Sequence, residues 1–295
     1  LPNGRYVWSD EQNFQVYGDF MAMFNKTLGD FSINAALGTS INVSKANSLM
    51  IDSKTASLYR PNVFTVSNII FSSKGFINQT IDAKRTIQSL FGTAQVGWKD
   101  ALYLDVTARN DWSSALAFTE SCSFFYPSFG GSVLLNKFVD MGKNIDLFKF
   151  RASYSIVGND VPVFMSNLLY SLGSQGAITP PDKAPFRTLK PEKTHSLEIG
   201  FDGTFLQNRL NINLTYYETN TKNQFFSVAA PYESGLRNRY VNAGNVENKG
   251  FEFNIGWYEQ FTDHFSWSTN LNFSYNDNKI KELVDDLPNG LTLTD

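Results

Sequence analysis

Cysteine and histidine are almost missing from this chain of 295 residues. Cys122 stands alone, so no intramolecular disulfide framework exists, and an ordinary loop thiol is its plain reading. The two histidines, His195 and His264, carry no HExxH or other ligand spacing, and no metal is expected. Charge is sparse as well. Charged residues make up 18%, against roughly 25% in an average soluble domain. The net charge of −3 lacks the basic excess that nucleic acid would require. No run approaches the roughly 18 apolar residues of a membrane helix; the nearest candidate, 161–172, is broken by Pro162, Ser166, Asn167 and Ser171. No Walker or dinucleotide glycine pattern occurs, and Gly173–Gly176 lacks the spacing of a nucleophile elbow. Asp111, Asp160 and Asp182 are scattered acids, expected to be solvated rather than to hold calcium. Helical membrane proteins, nucleotide enzymes and metalloenzymes are excluded; neither enzymatic activity nor a cofactor is expected.

What the chain has in excess is aromatic: 26 Phe and 13 Tyr, at a mean hydropathy of only −0.25. A membrane β-barrel has this combination, because half of its strand residues face lipid and half face water. The patterning agrees. Phe31, Ile33, Ala35, Leu37, Thr39, Ile41 and Val43 alternate with Ser32, Asn34, Ala36, Gly38, Ser40, Asn42 and Ser44. Leu210, Ile212, Leu214 and Tyr216 alternate with Asn211, Asn213 and Thr215, and the same pattern runs from Phe265 to Asn276. Successive strand side chains point to opposite faces, so each segment has one apolar and one wet face. The pattern predicts strands over 14–24, 31–44, 84–98, 101–110, 124–135, 147–158, 196–206, 209–219, 249–259 and 265–276.

The connections alternate in length. Short ones fall at 25–30, 99–100, 136–146, 207–208 and 260–264; long ones at 45–83, 111–123, 159–195, 220–248 and from 277. Short turns at one end and long loops at the other are the plan of an outer-membrane barrel, with the short turns periplasmic. A soluble β-sandwich also alternates, but its strands average about 5–6 residues, and its wet face would carry Lys and Glu rather than Asn, Ser and Thr. Aromatics gather near both strand ends. Phe24, Phe31, Trp98, Phe148, Phe205, Phe261, Phe265 and Trp267 lie by the short turns; Tyr154, Tyr216, Tyr217, Phe273 and Tyr275 lie by the long loops. Two girdles are expected at the two headgroup layers. Asn208 and Arg209 are expected to close a tight two-residue hairpin, and Gly158, Gly244 and Gly250 to sit where strands meet loops.

Particular strings then resemble a family. Thr107-Ala108-Arg109-Asn110-Asp111-Trp112-Ser113-Ser114, Phe125-Tyr126-Pro127-Ser128 and Phe148 to Asp160 resemble consecutive strand motifs of SusC/RagA-type TonB-dependent transporters. Pro191 to Gly200, Asn208 to Tyr217 with Asn220-Thr221-Lys222, and Tyr240-Val241-Asn242-Ala243-Gly244 followed by Glu247 to Glu252 are similar to the strands that come next. The ordered set covers roughly residues 101–260 and is specific, although no single string is.

The resemblance implies an all-β, antiparallel transmembrane barrel of roughly 22 strands with a plugged lumen, this chain supplying about ten. It implies an outer-membrane location in a Gram-negative, Bacteroidetes-like bacterium and a SusD-like surface lipoprotein as lid. Import of oligosaccharides or peptides would be energised through TonB. Residues 1–295 contain neither a plug nor a coupling box, so they are expected to be a partial barrel domain of a longer protein, with TonB engaging a segment outside it. Outer-membrane lipid is the surrounding partner, and no nucleic acid is expected. A passive porin or a purely structural barrel is the alternative that the residues alone leave open. The candidate contacts to substrate or lid are the loop aromatics Trp112, Phe118, Phe124, Phe125, Tyr170, Phe225, Phe226, Tyr232 and Tyr240. Such rings stack on sugars or pack on a protein lid; equally, they pack on one another or form the outer girdle.

Overall fold

In the computed structural model, the described residues are 4–54, 58–70, 76–117, 119–167, 170–172, 176–181, 183–184, 190–230 and 232–282. They form β1 (Val7–Leu28), β2 (Phe31–Asp52), β3 (Phe76–Trp98), β4 (Leu102–Ser113), β5 (Ser123–Leu134), β6 (Ile145–Asn159), β7 (Ser171–Leu172), β8 (Ile178–Thr179), β9 (Lys183–Ala184), β10 (Glu192–Phe205), β11 (Leu210–Ala229), β12 (Asn238–Thr262) and β13 (Phe265–Glu282). Each long strand pairs antiparallel with the next long strand in the chain, in the order β1-β2-β3-β4-β5-β6-β10-β11-β12-β13. β7 and β8 make a small separate hairpin, and β9 runs parallel to the loop end of β12. All ten long strands read from the alternation are present.

Most are longer than the pattern foretold. β2 has 22 residues, about 70 Å at roughly 3.3 Å per residue, against a hydrocarbon core of about 30 Å. Even tilted, its far half stands beyond the bilayer, where no lipid demands an apolar face. The alternation therefore stops at the membrane while the hydrogen-bond ladder continues.

Register puts the apolar positions of every strand on one continuous face. One rung of that face reads Ala152, Ile199, Tyr216, Phe251, Tyr275, and the next towards the turns reads Phe150, Phe201, Leu214, Phe253, Phe273. Much of this face has no protein cover: Phe20 is 70% exposed and Leu37 61%. An apolar expanse of this size in water would mark an interaction or aggregation surface; lipid resolves it. Rings lie against one another across it, Phe148, Phe150 and Phe201 with centroids 4.9–5.5 Å apart.

The opposite face is a polar web whose side chains reach across several strands. Arg151 on β6 pairs with Glu198, lies 3.6 Å from Asp202 and donates to Thr215 on β11 at 2.6 Å. Arg109 on β4 donates to Asp111 and Ser89 at 2.7 Å and to Ser40 on β2 at 3.4 Å. Asn213 donates to Asp202, and Asn254 to Asn272. Tyr217 belongs to this face rather than to the girdle, donating to Asn276 at 2.9 Å. Neighbours such as Tyr216 and Tyr217 cannot share a face in a strand.

The turns differ in detail from the expectation. Asn208 and Arg209 do not close a two-residue hairpin, because Phe205 pairs with Leu210. The loop is Leu206–Arg209, with Leu206, Gln207 and Asn208 all left-handed at φ 58°, 60° and 64°. That loop is tethered to its neighbour: Asn208 N donates to Asp146 at 2.9 Å and Leu206 N to the Asn144 carbonyl at 2.8 Å. The external tie offsets the cost of non-glycine residues at positive φ. Gly250 lies well inside β12, not at a strand end; the Tyr217 ring and the backbone of β13 occupy the space a side chain would need.

Candidate functional site

Buried hydrophobic side chains are concentrated at the loop end of the wall. Ala115, Leu116, Phe124, Val161 and Met165 form a buried cluster, with Tyr126, Val163, Phe225 and Tyr240 packed against it. Two long loops thus fold inward and make a small soluble-type core, each large side chain contributing roughly 1.5–3 kcal/mol by burial.

Polar ties hold the loops in place. Ser113 donates to Asp160 at 2.5 Å and accepts from Ala115 N at 3.2 Å, starting the 3-10 turn Ser114–Leu116. Asp160 also accepts from Val161 N at 2.8 Å and lies 3.7 Å from Arg85. Gly158 just before it is required by packing, since the Tyr126 ring fills the place of a side chain. Asp160 and Asp111 are therefore structural acids, taken up by Ser113 and Arg109, and not solvated as expected; Asp182 lies outside the described residues.

On the far side, Asn242 knits three segments. Its amide donates to the carbonyls of Lys190 at 2.9 Å and Asn223 at 2.8 Å, and its oxygen accepts from Lys190 N at 2.7 Å. Asn223 (φ 58°) lies opposite Gly244 (φ 82°) in the β11–β12 ladder. The ladder skips that one level, passing from Lys222–Asn245 to Gln224–Ala243, as left-handed residues facing each other make a local bend in both strands. Glu192 caps the bend by accepting from Phe225 N at 3.3 Å.

Between these two supports lies a hollow of about 260 Å³ lined by Pro162, Phe164, Pro181, Lys183, Phe225 and Tyr240. Phe164 holds φ at 71°, a strained value for an aromatic residue, and the residue is 42% exposed. Lys183 Nζ donates to the Tyr240 hydroxyl at 3.1 Å and lies 5.3 Å from the ring centroid. Open aromatic faces beside a cation and a phenol suit an uncharged polar ring or a peptide side chain, through stacking and hydrogen bonds.

Of the aromatics singled out in the sequence, Phe225 and Tyr240 line this hollow and Phe124, 4% exposed, lies in the core beneath it. Trp112 and Phe125 stand on the apolar face, Trp112 in a shallow groove with Phe20, Ile41 and Leu90. Phe226 packs near Gly244, and Tyr170 is 66% exposed. Tyr232 begins a 3-10 turn, and Phe118 lies outside the described residues. Sequence reasoning missed Met165 and Lys183. The apolar run Val161-Pro162-Val163-Phe164-Met165 inside a long loop was the available signal, since solvated loops do not carry such runs.

At the same end but away from the hollow, Arg5 grips Asp52 through two hydrogen bonds of 2.8 and 2.6 Å. That bidentate contact, helped by Lys54 N, holds the buried carboxylate's pKa down to about 2.

The chain matches the family model described as TonB dependent receptor-like, beta-barrel, over residues 2–295. It is 30% identical over 229 residues to TonB-dependent receptor P3 of Formosa agariphila, an alignment covering 74% of this chain and 22% of that one. To TonB-dependent receptor SusC of Bacteroides thetaiotaomicron it is 27% identical over 221 residues, 70% of this chain and 22% of that one. It spans about a fifth of the length of these curated relatives. The fold is similar to the RagAB peptide transporter, with a TM-score of 0.80 at 18% identity over 96% of this chain and 32% of that one. The closed-closed state of the RagAB peptide importer gives 0.77 at 20% identity, over 95% and 32%.

Proposed function

The chain belongs to the TonB-dependent receptor-like β-barrel family, an outer-membrane transporter family of Gram-negative bacteria and not an enzyme family, and from this we propose that it walls an active importer. Residues 1–295 are one partial barrel domain, and the plug and remaining strands belong to other parts of the complete protein. Cargo is an oligosaccharide or a peptide. The single observation that carries this reading is the inward-folded loop core with its open aromatic hollow. A passive pore gains nothing from a strained Phe164 ring held beside Lys183 and Tyr240, whereas a receptor that captures cargo before transport does.

Peptide cargo draws support from the RagAB likeness, and glycan cargo from the likeness to SusC. A SusD-like lipoprotein would sit over the loop end, with exposed Tyr170 among its contacts. TonB would act from the periplasmic side on a segment outside these residues. The test is uptake by cells carrying the complete protein, with and without TonB, and with Phe225→Ala plus Tyr240→Ala. Active import predicts that uptake collapses without TonB and that the double substitution raises the half-saturating concentration. Uptake indifferent to TonB would favour the passive porin.

A further inference from the structure

The lipid-facing surface carries a lysine pair that the protein does not neutralise. Lys193 on β10 lies directly opposite Lys222 on β11. Their immediate neighbours in the same rung are Gly158 and Asn245, and the nearest carboxylate on β12, Glu247 diagonal to Lys222, is taken up by Lys249 and Lys281. Among the described residues neither lysine has a carboxylate within ion-pair distance. The other lysines of this face on β12 and β13 do have one: Lys249 and Lys281 lie 3.4 and 3.0 Å from Glu247, and Lys279 lies 2.7 Å from Asp277. Like charges directly opposite in a ladder are destabilising, and a shared anionic ligand removes that repulsion.

An apolar groove leads up to the pair. Gly131 and Ala152, opposite each other on β5 and β6, form its floor. Leu104, Phe129, Phe150 and Ile199 wall it. At its loop end Tyr154, opposite Leu197, donates or accepts a 2.7 Å hydrogen bond with His195 Nδ1, two residues from Lys193. The order from the middle of the strands outward is thus small-residue floor, aromatic walls, Tyr–His pair, then two unneutralised cations. A phosphorylated lipid has the same order, from acyl chain through glycerol or sugar to phosphate. Phosphate next to lysine pairs as a compact charge-assisted acceptor.

We propose that the outer face of β5, β6, β10 and β11 is a specific site for one phosphorylated lipid of the outer leaflet, with an acyl chain over Gly131 and Ala152 and the phosphate between Lys193 and Lys222. The site is separate from the cargo hollow and does not depend on the nature of the cargo.

The probe is lipid A, intact or stripped of its phosphates, titrated onto the complete protein in detergent, with bound lipid counted by native mass spectrometry. Lys193→Gln with Lys222→Gln is expected to lower occupancy by intact lipid A by about tenfold or more and to leave the dephosphorylated lipid unchanged. Lys279→Gln, on the same face but already paired, should change neither. Gly131→Phe fills the groove and should weaken both lipids. Unchanged occupancy in the double lysine variant, an equal drop for both lipids, or the same drop in Lys279→Gln would each overturn the phosphate assignment. Unchanged binding in Gly131→Phe would overturn the acyl groove.

Discussion

Leu214 and Asn213 are adjacent in sequence and meet different solvents. Leu214 lies among Phe201, Phe253 and Tyr216 on the apolar face, and Asn213 donates to Asp202 on the polar one. Leu214→Arg therefore places a cation in lipid and should cost about 2–4 kcal/mol, while Asn213→Arg, beside the carboxylate of Asp202, should cost much less. Denaturant unfolding of the complete barrel in vesicles measures both; equal losses would contradict the face assignment. Asp52 makes a second residue-scale test, because its folded pKa of about 2 lies below the ordinary 3.8. A depressed carboxylate stabilises the fold above its unfolded pKa and loses that contribution as pH falls through the folded value. Arg5→Ala should thus loosen the loop after β2 at pH 7, and the difference from the parent protein should vanish as pH falls from about 4 to about 2. Hydrogen exchange of Ser53, whose N–H donates to the Tyr6 carbonyl, and of Tyr6, whose N–H donates to Ser53 Oγ, both at 3.0 Å, reads this directly.

At the scale of elements, the β11–β12 hairpin is the informative piece. Its lower part is a straight ladder from Leu210–Trp257 to Lys222–Asn245, and its tip resumes at Gln224–Ala243 beyond the left-handed pair Asn223 and Gly244. Asn242 ties that bend to Lys190, so Asn242→Ala frees the entry into β10 as well as the hairpin tip. A loss of about 0.5–1.5 kcal/mol is expected, because Lys190 is exposed and Asn223 only half-buried, so water replaces part of what the amide supplied. Hydrogen exchange should accelerate at Lys190 and above residue 223 while residues 210–222 stay protected. Uniform acceleration along the hairpin would mean that the bend is not a boundary between a fixed and a movable part.

For the molecule as a whole, the two ends of the wall should meet opposite compartments. In the complete protein, cysteines introduced at Gly176, in the long loop before β8, and at Asn208, in the turn before β11, are expected to differ. An impermeant thiol reagent on intact cells should label the first and spare the second; equal labelling would reverse or abolish the topology. Closure is the other whole-molecule matter. β1 and β13 are the sheet's edges and pair with one partner each among the described residues. An unpaired edge in a bilayer leaves backbone groups unsatisfied at several kcal/mol apiece. Residues 1–295 expressed alone should therefore not give a monodisperse, heat-modifiable, ion-conducting barrel, whereas the complete protein should.

The alternation of Phe, Ile and Leu with Asn, Ser and Thr by itself determined ten antiparallel strands, their faces, and which ends carry turns. Lipid on one side and water on the other impose a period of two, here over strands longer than a soluble sandwich uses and with Asn, Ser and Thr on the wet face. Strand ends were not legible in the same way, because beyond the membrane the ladder persists without any hydropathic signature, as β2 from Lys45 to Asp52 illustrates. Nor was the hollow. Phe225 and Tyr240 stood out as loop aromatics, but their meeting with Phe164 and Lys183 depends on contacts between segments up to 76 positions apart. Those contacts depend on Asp160 binding Ser113 and on Asn242 binding Lys190. Long-range polar ties of this kind have no local period, so only the tertiary structure decided which of the chain's many aromatics line the hollow, which stand on the apolar face, and which merely fill a core.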